Sequence, residues 1–78
     1  MIPTYYMFTD TDFDANHCVI KKEGTVVSML WRKGYTHNEF PSVMNMDNFE
    51  GWKTDKGITY KITRKKKEAD DFIFLICL

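Results

Sequence analysis

Asp10, Asp12 and Asp14 alternate with Thr11 and Phe13, and carboxylates at alternate positions of a loop can converge on one hard cation such as calcium or magnesium. A complete calcium loop continued from Asp10 needs glycine where Ala15 stands, for its sharp turn, and a bidentate glutamate where Lys21 stands. The ligand pattern therefore stops after Asp14, and the run reads as a solvated acidic connection. His17 and Cys18 are neighbours on an expected strand, so their side chains project to opposite faces, the wrong geometry for a shared metal or a thiol–imidazole pair. His37 has no second histidine at helical spacing to share a zinc ion. Ser28 and Ser42 lie in no glycine-flanked nucleophile turn, and the four glycines of the chain form no phosphate-cradling loop. The expectation is a protein without catalytic residues, metal or cofactor.

An Asp-x-Asp run after a strand also resembles the nucleophile segment of haloacid-dehalogenase-type phosphatases. That resemblance implies a doubly wound scaffold with a lysine and further acids on later strands, and 78 residues cannot house one. Two features point to binding instead. Arg64, Lys65, Lys66 and Lys67 form the one dense charge block, able to contact phosphates or an acidic protein surface, although Glu68, Asp70 and Asp71 follow at once. Tyr35, Phe40, Met44, Met46, Phe49 and Trp52 crowd a segment too irregular to bury them all. Aromatic residues and methionine are enriched at protein interfaces because they give large, adaptable contact area. Trp31, Tyr35 and Trp52 beside basic residues also suit base stacking on a small β-barrel.

The elements that carry these residues are mostly strands. Thr4 to Thr9 is rich in aromatics, with Pro3 at its entry where a missing amide costs the ladder least. His17 to Lys22 and Thr25 to Lys33 flank Glu23-Gly24, a short hairpin loop with glycine for its left-handed position. Ile58, Tyr60 and Ile62 alternate with Thr59, Lys61 and Thr63, which predicts a strand with one dry and one wet face. Asp55-Lys56-Gly57 marks a turn that returns Trp52 to Thr54 as a short partner strand. Phe72 to Leu78 is apolar on both parities, so it is expected as a last strand, covered on both faces or paired with a second copy in a homodimer. Arg64 to Lys67 then becomes the hairpin tip before it. Between Gly34 and Gly51 no strand pattern survives, and one short helix is expected within 42 to 50.

The length of 78 residues allows a single domain, 1–78, with one core. Apolar residues make up 44% and aromatics 15%, enough to close that core. Eleven basic and eleven acidic side chains cancel, which removes the global field that draws a whole molecule to nucleic acid or anionic lipid. Two cysteines are too few for a disulfide scaffold and fit a reducing, cytoplasmic setting with both thiols free. No signal peptide is apparent, and no apolar run approaches the ~20 residues of a membrane-spanning helix.

The fold expected is mainly β, bordering on α+β: a curved antiparallel sheet of about five strands, an open barrel being the alternative, with the 34 to 52 segment over one face or end. The function expected is a non-catalytic protein-binding inhibitor that occludes its partner through the aromatic and methionine-rich segment, helped by the basic block. In size and character the chain is similar to the small inhibitors that viruses and phages direct at host enzymes or defence complexes, a likeness that assigns no residue a role. The alternative is a small nucleic-acid-binding module.

Overall fold

A computed structural model describes residues 2–9, 17–33, 49–55 and 58–76. Five strands precede one helix: β1 (Thr4–Thr9), β2 (His17–Glu23), β3 (Val26–Lys33), β4 (Gly51–Asp55), β5 (Ile58–Thr63) and α1 (Lys66–Ile76). All five strands form one antiparallel sheet in the order β3-β2-β1-β5-β4. The sheet is open rather than closed into a barrel, and β3 and β4 are its edges. Gly24 takes a φ of 59° in the β2–β3 turn, where a side chain would crowd the backbone.

β1 lies at the centre, and from Tyr5 to Thr9 every residue is buried. Strand alternation sends Tyr5 and Met7 to one face, where they join Cys18, Ile20, Tyr60 and Ile62 in a buried cluster. Tyr6 and Phe8 join Val19 on the other face, beneath Ala69 and Phe72 of α1, with Trp31 and Ile73 packed alongside. The Phe8 and Phe72 rings stack with centroids 4.7 Å apart, and His17 meets Phe72 edge-on at 6.0 Å. These contacts fix α1 across β1.

The last element among the described residues is a helix, so the strand expected from Phe72 onward is overturned as far as Ile76, and with it a homodimer formed by that strand. Judged alone, Phe72 to Ile76 is apolar on both parities. Joined to Lys66 to Asp71 it becomes one helical stripe, with Ala69, Phe72 and Ile73 spaced to face the sheet. Lys66–Asp70 and Lys67–Asp71 ion pairs at i,i+4, each 2.8 Å, cross the exposed side. Phe74 is left outward at 68% exposure.

The wet face expected of β5 is also corrected. Thr63 is buried and Lys61 half-buried, because α1 folds back over that side, while Thr59, also half-buried, meets Thr54 of β4 with their hydroxyls 3.2 Å apart. Lys61 resolves the conflict by pairing with Glu68 of the helix. The helix expected within 42 to 50 falls mostly outside the described residues, and Phe49 and Glu50 carry no regular structure.

Candidate functional site

Of the residues expected to bind a partner, Phe49, Trp52 and Arg64 to Lys67 are among the described residues. Tyr35, Phe40, Met44 and Met46 lie outside the described residues, as do Asp10, Asp12, Asp14 and His37. Phe49 and Trp52 are described, and strand parity separates them. Trp52 pairs with Lys61, so it projects to the α1 face, whereas Gly51 and Lys53 pair with Ile62 and Tyr60 and belong to the other face. The Phe49 ring lies against Gly51, and the Lys53 ammonium sits 5.1 Å from its centroid. The two aromatics therefore flank β4 on opposite sides. Gly51 takes a φ of 128°, a backbone conformation that favours glycine.

The basic block is not a hairpin tip. Arg64 and Lys65 link β5 to α1, and Lys66 and Lys67 open the helix. The Arg64 guanidinium lies 5.9 Å from the Tyr5 ring centroid, a cation–π distance, and its backbone N–H donates to Glu50 Oε1 at 3.2 Å. The Lys65 N–H donates to Thr63 Oγ1 at 3.0 Å. Asp70 and Asp71 hold Lys66 and Lys67 above the ordinary lysine pKa through their hydrogen bonds. Three of the four cations are thus engaged within the fold, which shrinks what the block can offer a phosphate.

His17 and Cys18 behave as strand geometry requires. His17 meets Phe72 on the helix side, and Cys18 belongs to the opposite cluster. The Cys18 N–H donates to Thr9 Oγ1 at 3.3 Å, and burial pushes its thiol up to about 12, too high to supply thiolate near neutrality. Among the described residues no three His, Cys, Asp or Glu side chains gather as a metal would require, and no helix is long and apolar enough to cross a membrane.

The feature that stands apart is β3. Among the described residues it pairs only with β2, and there the outward backbone groups of this eight-residue strand have no ladder partner. Val26, Val27, Met29 and Leu30 are all exposed, Val26 at 64%, and no charge interrupts Val26 to Leu30. Val27 and Met29 lie opposite Lys22 and Ile20 and share one face. Between Met29 and Trp31 the register shifts, leaving Leu30 without a partner on β2. Trp31 turns under the helix and packs on its cluster. Arg32 and Lys33 close the strand, exposed. At the turn end, Ile2 is exposed and its Cγ2 lies 3.2 Å from where a Gly24 side chain would begin.

The other edge is built differently. β4 has five residues and carries Lys53 and Asp55, the charged, short edge that discourages pairing with another chain. Nothing in the sequence of β3 alone announces an edge. Its apolar residues fall on both parities, the pattern of a doubly covered strand, and the available signal is the uncharged run without proline from Val26 to Leu30. Compared with protein-family models, curated proteins and solved structures, the chain matches none.

Proposed function

We propose that the protein is a small non-catalytic binding protein that attaches to a partner protein and occludes it, and that β3 is the contact. One observation carries this reading: the longest strand of the sheet is an edge, exposed and uncharged over five successive positions. Such an edge accepts an extended segment of another chain. Main-chain hydrogen bonds give the affinity and alternate side chains the selectivity. This reading puts the contact on β3, with Arg32 and Lys33 at its end to steer an acidic partner; Tyr35, Phe40, Met44 and Met46 of the aromatic and methionine-rich segment lie outside the described residues.

An inhibitor of the kind viruses and phages direct at host enzymes or defence complexes, working in the host cytoplasm, is consistent with this mode. Occlusion requires a rigid surface rather than reactive groups. The nucleic-acid alternative loses support from the internal pairing of Lys66 and Lys67 and from a formal net charge of zero.

The test is affinity capture from host lysate with wild type and with Val27→Lys/Leu30→Lys, both exposed positions, after matching their melting curves. The expected result is a protein recovered with wild type whether or not nuclease is added, and lost with the variant. Recovery only without nuclease, or equal recovery by the variant, overturns the reading.

A further inference from the structure

We propose that two copies of this chain pair β3 to β3 in antiparallel fashion across a two-fold axis through Ser28, so that self-association covers the edge until a partner displaces it. The inference rests on the reading of β3 as a contact edge and names its regulation.

The strand is complementary to itself in this register. With Ser28 of each copy on the axis, Val27 of one faces Met29 of the other, and both project to the face opposite α1, as their partners Lys22 and Ile20 require. Val26 comes opposite Leu30. Five successive positions are then uncharged on both strands, and their exposed apolar side chains are covered by their equals. Beyond the uncharged run, Arg32 and Lys33 of each copy reach the Glu23-Gly24 turn of the other, where Glu23 pairs with Lys21 of its own strand at 2.9 Å and keeps its side chain half exposed. Antiparallel pairing keeps the two basic ends apart and gives each an acidic neighbour. The formal net charge of zero leaves no long-range repulsion between copies, a condition that favours association.

A two-fold contact of this kind is isologous and closes at two copies. β4, with its charges, offers no equivalent edge for further growth. One strand per copy is a small interface, so the dimer belongs to the weak class whose population follows concentration.

Ser28 supplies the test, because only a residue on the axis meets itself. Sedimentation equilibrium of wild type from about 10 μM to about 1 mM should show the mass rising from 9.3 kDa towards twice that value. Ser28→Lys and Ser28→Glu, both at an exposed position, should each remain monomeric and should associate when mixed. Amide exchange on wild type gives a second measurement, with β3 more protected in concentrated than in dilute solution. A single monomeric mass throughout, a dimer indifferent to both charges, or no association on mixing overturns the proposal. If the chain is monomeric but Ser28→Lys loses the captured protein, the dimer fails and the partner contact stands. If the dimer responds as described while capture is unchanged, the partner contact fails and the dimer stands.

Discussion

The Lys61 ammonium lies 2.8 Å from Glu68 Oε2, joining the sheet to the first turn of the helix that covers it. Each side chain is about one-third exposed, so the pair is less fully hydrated than Lys66–Asp70 or Lys67–Asp71. Glu68 also places negative charge near the positive end of the helix dipole.

The Lys61 hydrogen bond, with its charge, holds the Glu68 carboxyl below the ordinary range. A carboxylate depressed in the folded state stabilises the fold above its unfolded pKa, and that stability is lost as pH falls through the folded value. Glu68→Gln should therefore lower stability near neutral pH by about 0.2–1 kcal/mol, with the gap closing below about pH 4. Urea midpoints of both proteins across that interval check it, and a gap independent of pH would show that packing, not charge, holds the pair.

Phe72→Ala removes the ring stacked on Phe8 and edge-on to His17 and should cost about 3–5 kcal/mol. Phe74→Asp should cost below about 1 kcal/mol, since Phe74 is 68% exposed and no cavity or buried charge results. Chemical denaturation of the two variants decides the matter. The reverse order would mean that the C-terminal apolar run is buried on the side where α1 faces solvent.

Gly24→Ala places a β-carbon at a φ of 59° and 3.2 Å from Ile2 Cγ2. The expected loss is about 1 kcal/mol, and Gly24→Asn should lose less, because asparagine tolerates the left-handed region. Equal stability of the three proteins in guanidinium titrations would remove the turn from the argument.

Cys18 should resist alkylation in the native protein, being buried with its thiol pushed up to about 12. Labelling followed by peptide mapping should show modification of Cys18 only at the rate at which the sheet opens. Rapid native labelling at neutral pH is the contrary result.

Much of the sheet is legible in the sequence. The aromatic run before Thr9, the glycine at position 24 and the alternation of Ile58, Tyr60 and Ile62 each report a local backbone preference, and the structure realises each as β1, the β2–β3 turn and β5. Neighbours are less legible. Lys61 and Thr63 are polar yet covered, because a helix formed later in the chain supplies Glu68 as a partner. The helix itself is obscured by dividing a charged block from an apolar one, when only the two together show the stripe of Ala69, Phe72 and Ile73. Within the candidate site, proximity in sequence does not guarantee a shared face: Phe49 and Trp52 end on opposite sides of β4. The exposure of Val26 to Leu30 depends on which strand lies beside them, and no local pattern encodes that.

The central place of β1 has a consequence for how the chain reaches this structure. β1, β2 and β3 can zip together as a meander of local hairpins, but the second side of β1 pairs with β5, and Tyr6 meets Thr63 across most of the chain. Such distant pairings are slow, because loop-closure entropy must be met before they contribute. On a ribosome, the Tyr5-Tyr6-Met7-Phe8 segment must wait, half-paired, until Thr63 has emerged. During that interval the most aromatic strand of the protein is an open template, and a holdase that shields it should raise the yield of folded chain more than any change at the finished surface.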